Sequence, residues 1–246
     1  MGNTLKPRLE HAEKTGVCSL SKCQIKEFPA AELQMQRLPL IPAAKLRSLD
    51  LSYNKLKLIP DAIGQLCNLK VLNLSHNKII KLPDAICQLA KLEILNMAAN
   101  HLGNLPPDFG KLSALKALNL SENKLKKFPL QVAKLPILDV LDLSTNAISE
   151  MADCEQLGSL NCSELLLNSN QLAVLPTNLA KCPRLKILRV QENCLTLDGI
   201  PSELLSSSGI NALSLEGNLF EERELHQIQG WDAYQERYTA SKKKMY

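Results

Sequence analysis

Asparagine recurs at Asn54, Asn77, Asn100, Asn123, Asn146, Asn170, Asn193 and Asn218, at intervals of 23, 23, 23, 23, 24, 23 and 25 residues. Take each asparagine as position n. Apolar residues then fall at n−8, n−5, n−3 and n+2, as in Leu69, Leu72, Leu74 and Ile79, or Leu115, Leu118, Leu120 and Leu125. A second apolar set follows at n+5, n+9 and n+12, for example Leu82, Ile86 and Leu89, and proline stands at n+6 in Pro29, Pro60, Pro83, Pro106, Pro129 and Pro176. A unit this short cannot bury its own apolar face, so a chain with this period must stack its units into a solenoid.

The residue types have physical reasons. The spacing predicts a short strand around n−5 to n−3 in each unit, paired in parallel with its neighbours, with the leucines inward and the intervening side chains in solvent. The asparagine turns the chain out of the strand, and its buried amide satisfies backbone groups that the turn leaves unpaired. Proline, with no N–H, suits a convex segment outside any regular ladder. The pattern L-x-x-L-x-L-x-x-N-x-L followed by L-P-x-x-I-x-x-L is that of leucine-rich repeats. The expected fold is an α/β leucine-rich repeat solenoid, or horseshoe. It has about nine units, a parallel sheet on the concave face, an extended and 3-10 convex side, and a C-terminal helical cap.

Three segments follow. Residues 1–15 form an N-terminal cap and a candidate lipidated segment, with one or two helical turns expected over 3–15. Residues 16–220 form the array. It begins with Val17, Cys18, Leu20 and Ile25, where Cys23 takes the asparagine slot and Phe28-Pro29 follows in phase. Cys23 to Asn54 is 31 residues, so a bulge or loop is expected around Met35 to Pro42 on the convex side. Met151-Ala152 replaces the Leu-Pro pair of the fifth regular unit, leaving 150–162 the least regular stretch. Residues 221–246 form the C-terminal cap and basic tail: Leu225, Ile228, Trp231, Tyr234 and Tyr238 follow at helical steps and predict one sealing helix, with Trp231 as its anchor.

The 29 basic and 25 acidic residues give a net charge of +4, a poor match for a dedicated nucleic-acid binder. No apolar run approaches the roughly 20 residues of a membrane span, and the first residues lack the apolar core of a secretory signal. The eight cysteines form no CxxC pair, and they are expected as thiols in a reducing, cytoplasmic setting. No metal site and no cofactor are expected. His11, His76, His101 and His226 join no nucleophile–base–acid pattern, and no P-loop or dinucleotide fingerprint occurs, so no enzyme is expected.

The concave face remains. Its n−6 row carries Val71, Ile94, Val140 and Ile187, an apolar stripe between polar rows that reads either as a protein-contact surface or as ordinary β-branched strand composition. The serine and Asp/Asn rows belong to the repeat itself. In the later units Glu164, Leu166, Arg189, Glu192 and Glu216 break the pattern, which marks that end for partner choice. One rim carries Lys55, Lys78 and Lys124 at n+1 with Lys57, Lys81, Lys126 and Lys127 nearby, either a solvated basic edge or a contact for acidic partners or lipids.

The repeats resemble those of intracellular scaffolds such as the Ras-suppressor and Scribble-type proteins. Met1-Gly2-Asn3, His11 to Val17, Lys26 to Pro29, Cys182 to Leu188, Glu192 to Leu195, Glu216 to Phe220 and Tyr234 to Lys244 narrow the resemblance to small intracellular leucine-rich repeat proteins carrying an N-terminal myristate. The residues near 35–42 depart from them. The resemblance implies Gly2 as an acylation site, although Lys6, followed by Pro7, stands where the acylation motif places Ser or Thr. One myristate binds membranes marginally, and Lys6, Arg8 and Lys14 are the nearest second signal. The expected function is a monomeric, non-enzymatic protein-interaction scaffold for a protein partner, tethered to a membrane surface on the cytoplasmic side and binding no nucleic acid. Two alternatives stay open: a regulatory subunit or inhibitor that occludes an enzyme or GTPase surface, and a peripheral lipid-binding protein.

Overall fold

The computed structural model describes residues 2–30 and 45–243. Each unit contributes one three-residue strand: β1 Val17–Ser19, β2 Ser48–Asp50, β3 Val71–Asn73, β4 Ile94–Asn96, β5 Ala117–Asn119, β6 Val140–Asp142, β7 Glu164–Leu166, β8 Ile187–Arg189 and β9 Ala212–Ser214. They form a single parallel sheet in the order β1 to β9. Equivalent positions stay in register along it, Val71 beside Ile94 and Ile94 beside Ala117. The strands span n−6 to n−4, one residue earlier than the apolar spacing predicts. The ladder nevertheless runs on, since Leu51 N–H donates to Asn73 O and Tyr53 N–H to Ser75 O.

Leucines at n−5 and n−3 point into the core and are buried, Leu72 and Leu74 in one unit and Leu118 and Leu120 in another. Burying each contributes roughly 1.5–3 kcal/mol. The asparagines join consecutive units. Asn77 Nδ2 donates to Leu74 O and Ser75 O of its own unit and to Leu51 O of the one before, while its Oδ1 accepts from Leu56 N–H of that same preceding unit. Each asparagine is thus an inter-repeat stitch as well as a turn.

On the convex side, short 3-10 turns occupy Asp61–Gln65, Asp84–Gln88, Leu130–Lys134 and Thr177–Lys181, each directly after a proline. Proline suits this position because its φ is preset and its missing N–H has no helical partner to lose. Its carbonyl accepts the first bond of the turn, as Pro60 O does from Ile63 N–H. The irregular fifth unit keeps its strand but replaces the proline-led turn with α2, Glu155–Gly158.

The N-terminal cap is longer than expected: α1 runs Gly2–Thr15, 14 residues, with Pro7 inside it. Leu9 and Ala12 are buried against the first strand, which is what holds so polar a segment helical. At the other end the single helix predicted over 221–240 is two elements, a 3-10 turn Glu222–Gln227 and α4 Trp231–Lys243. The break falls at Gly230. Its φ is +92°, and a Cβ there would lie 2.8 Å from Ser206 N, on the adjoining helix α3 Ser202–Ser206. The bulge expected around Met35 to Pro42 lies outside the described residues.

Both edges of the sheet are covered by side chains. The guanidinium of Arg8 donates to Ser19 O and Ser21 O beside β1. At β9 the Tyr234 hydroxyl accepts from Leu213 N–H at 2.9 Å, and Arg237 donates to Ile210 O. Unpaired edge groups invite strand addition from other chains, and these contacts remove that opportunity. Tyr234 is the buried aromatic of the cap. Trp231, predicted as the anchor, is half-buried beside it, with ring centroids 5.2 Å apart.

Candidate functional site

The concave face is built by the side chains at n−6, n−4 and n−2, followed by the residue at n−1. The n−6 row is largely apolar, interrupted by Ser48 and Glu164, and open to solvent. Ile94 is 44% exposed, Val17 47%, and Val71, Val140 and Ile187 are half-buried. No neighbouring element covers these side chains among the described residues, because the convex turns lie across the core on the opposite side.

The n−4 row is polar but engaged. Asp50 Oδ1 accepts from Ser52 N–H, Asn73 Oδ1 from Ser75 N–H, and Asn96, Asn119 and Asp142 repeat the contact with Ala98, Ser121 and Ser144. These five side chains hold their own strand ends, which is the structural role anticipated for that row. In β7, β8 and β9 the same position holds Leu166, Arg189 and Ser214. The local contact is gone there, and the face changes character.

At this C-terminal end Glu164 and Arg189 approach to 3.7 Å, and Glu192 Oε2 accepts from Ser169 Oγ at 2.6 Å. Glu216 is exposed. Half-exposed pairs of this kind contribute little to stability. They place both signs of charge on one surface beside Leu166 and Ile187, an arrangement suited to specific contact rather than to folding. Nine of the ten candidate binding or lipidation positions (Val71, Ile94, Val140, Glu164, Leu166, Ile187, Arg189, Glu192 and Glu216) therefore share one face. Gly2 stands apart, at the start of α1.

A sequence profile described as leucine rich repeat matches residues 44–102 and 98–148. That match, on a sheet with one strand per 23-residue period, decides the fold. The chain is a leucine-rich repeat solenoid. Among solved structures it is similar to a leucine-rich repeat protein of Leptospira interrogans, at 30% identity and a TM-score of 0.73 over 88% of this chain and 58% of that one. It is also similar to the ectodomain of the Arabidopsis thaliana receptor kinase GASSHO1/SCHENGEN3, solved in complex with Casparian strip integrity factor 2, at 26% identity and a TM-score of 0.60 over 82% of this chain and 27% of that one. A structure of the Drosophila Toll–Spätzle complex shares the fold at 22% identity, with a TM-score of 0.70 over 86% of this chain and 28% of that one. The chain spans just over half the length of the Leptospira protein and about a quarter of the chain matched in each of the two complexes.

Period-two reasoning missed one column of the leucine-rich repeat face. At n−1 the backbone is left-handed in every described unit, with φ of 53° or 54° at Tyr53, His76, Ala99, Glu122, Thr145, Ser169 and Glu192. This flip carries the n−1 side chains back onto the solvent face beside the strand row. Tyr53 and His76 stack there, ring centroids 4.1 Å apart and 14° from parallel, and Lys22 Nζ lies 5.2 Å from the Tyr53 ring. The signal available in the sequence was the column itself, with two aromatic rings in successive units immediately before the asparagine.

The cationic and thiol side chains also resolve. Arg8, expected to attract a membrane, is committed to carbonyls at the sheet edge. Burial pushes the thiols of Cys18 and Cys182 up to about 11 and that of Cys162 to about 12, so these are inert packing groups. Cys67 and Cys194 are exposed. Hydrogen bonds from Lys116 and Lys70 hold the Glu93 carboxyl at about 2. Among the described residues, no three His, Cys, Asp or Glu side chains are placed to share a metal ion.

Proposed function

We propose that this solenoid is a non-enzymatic protein-interaction module that receives a protein partner on its concave face. The observation that carries the reading is the open n−6 stripe of Val17, Val71, Ile94, Val140 and Ile187, flanked by a polar row that is internally engaged in the first five regular units and not in the later ones. An exposed apolar stripe with a polar rim is the composition of a protein-contact patch. The Casparian strip factor and Spätzle complexes of the structural neighbours are in keeping with it. The central stripe serves as the shared contact, and Glu164, Leu166, Arg189, Glu192 and Glu216 select the partner.

The finer reading rests on the termini, which resemble leucine-rich repeat-containing protein 57. On that resemblance the chain is a cytoplasmic monomer acylated at Gly2 and held on the cytoplasmic side of a membrane. Eight free cysteines suit a reducing compartment.

Two substitutions separate the parts. Val71→Asp with Ile94→Asp puts charge on the exposed stripe and should abolish partner binding with the thermal melt little changed. Gly2→Ala should remove a myristate-sized mass increment and membrane flotation while leaving partner binding in solution intact. Binding that survives the aspartates in a folded protein overturns the concave-face reading. An unmodified wild-type N-terminus in eukaryotic cells overturns the tether.

A further inference from the structure

Along the edge of the sheet where the chain enters each strand, two columns of side chains run from unit to unit. The n−9 column begins Lys14, Lys45, Asn68, Lys91, and the n−7 column begins Gly16, Arg47, Lys70, Glu93. From the fourth unit onward two acids, Glu93 and Asp139, enter these columns. Glu93 pairs with Lys70 and Lys116, each at 2.8 Å, and Asp139 pairs with Arg184 at 2.7 Å. At the N-terminal end that pattern fails. Lys14, Lys45 and Arg47 have no carboxylate partner within salt-bridge distance among the described residues, and Lys91 donates to the neutral Asn68.

These side chains line a basin of about 590 Å³ with Glu13, Thr15, Gly16 and Lys70. Gly16 opens it. The position holds a long side chain in the next three units, whereas here the chain turns at φ +73° and a Cβ would meet Lys45 O at 2.6 Å. Gly16 O accepts from Arg47 and Ser48 N–H, and Ala12 O from Gly16 N–H.

We propose that this basin is a binding site for a small polyphosphorylated ligand, an inositol-phosphate ring either free in solution or as a lipid head group. Lys14, Lys45, Arg47 and Lys91 against Glu13 leave a local excess of positive charge that repels itself until an anion enters. Arginine supplies a planar fork matched to phosphate oxygens, and the lysines supply charge around it. The basin stands independently of Gly2 acylation and of the concave face.

The test uses the full chain expressed without acylation, at physiological salt. Calorimetric titration with inositol trisphosphate should give saturable binding. Lys45→Glu with Arg47→Glu should weaken it roughly tenfold or more by reversing two exposed charges. Lys124→Glu with Lys126→Glu, on the opposite rim, should leave it unchanged. Phosphatidylcholine vesicles carrying a few per cent phosphatidylinositol bisphosphate then distinguish the sources. Retention on them, reversed by the soluble head group, assigns the lipid, and soluble binding without retention assigns the free ligand. The proposal is overturned by absent saturation, by equal loss in both charge-reversal pairs, or by equally tight binding of a polyglutamate peptide or of phosphatidylserine vesicles of matched charge.

Discussion

Replacing Asn100 by alanine tests the claim that the asparagines stitch one unit to the next. Asn100 Nδ2 donates to Leu74 O, Met97 O and Ala98 O at 3.0, 3.1 and 3.2 Å, and its Oδ1 accepts from Ile79 N–H at 3.0 Å. After truncation each carbonyl keeps another donor: Asn77 Nδ2 on Leu74 O, Asn123 Nδ2 on Met97 O, and His76 N–H on Ala98 O. The Ile79 N–H keeps none among the described residues. One orphaned buried donor costs about 1–3 kcal/mol, and the three weakened carbonyls bring the expected loss to about 3 kcal/mol. Urea unfolding followed by circular dichroism measures it. Asn100→Asp sharpens the test because it keeps the acceptor and removes the donor. Its carboxylate would face three carbonyl oxygens, so its folded-state pKa is raised. The stability it retains is present below the unfolded carboxyl pKa of about 4 and is lost as pH rises toward neutrality. Asn54 accepts from both Cys23 and Ile25 N–H, so Asn54→Ala should orphan two donors. A loss under about 1 kcal/mol for Asn100→Ala, or Asn100→Asp as stable as wild type at neutral pH, refutes the reasoning.

Gly230→Ala forces a Cβ onto Ser206 at a left-handed φ, and should loosen the C-terminal cap by about 2 kcal/mol; the single tryptophan, Trp231, should report it as a red-shifted emission at lower denaturant. Thr145 is β-branched at φ 54°, so Thr145→Gly should raise stability by about 0.5–1 kcal/mol in thermal melts. Thiol labelling at mildly alkaline pH should modify Cys67 and Cys194 in the folded protein. Cys18, Cys162 and Cys182 should react only on unfolding; fast native-state labelling of any of them contradicts their burial.

The solenoid was legible because its determinants are periodic. Leu72, Leu95, Leu118 and Leu141 repeat at 23 residues and are all buried, so the inward row reads directly from spacing. What period-two logic could not show is the left-handed residue at n−1. The same flip occurs at Tyr53, His76, Ala99, Glu122 and Thr145, and also at Lys22 before Cys23, so it belongs to the backbone path of the repeat and not to any one side-chain type. The C-terminal break was hidden for a related reason. Leu225, Ile228, Trp231 and Tyr234 keep helical steps through a 3-10 turn, and the chain turns between that element and α4 at Gly230, packed close against Ser206. Arg8 carried nothing but a charge in the sequence, and its role as an edge cap depends on carbonyls that exist only once β1 is placed. On the concave face, positions were legible and contacts were not. Spacing put Glu164 and Arg189 on adjacent units without showing that they pair, or that the Asp/Asn row is bound to its own backbone.

The central claim is that the concave face receives a protein. A photocrosslinking residue at Ile94, compared in cells with the same residue at Gln65 on the convex turn Asp61–Gln65, tests it most directly. The account predicts a discrete protein adduct from position 94, lost when Val71→Asp is added to the folded chain, and none from position 65. An adduct from position 65 alone, or one at 94 indifferent to Val71→Asp, would contradict it.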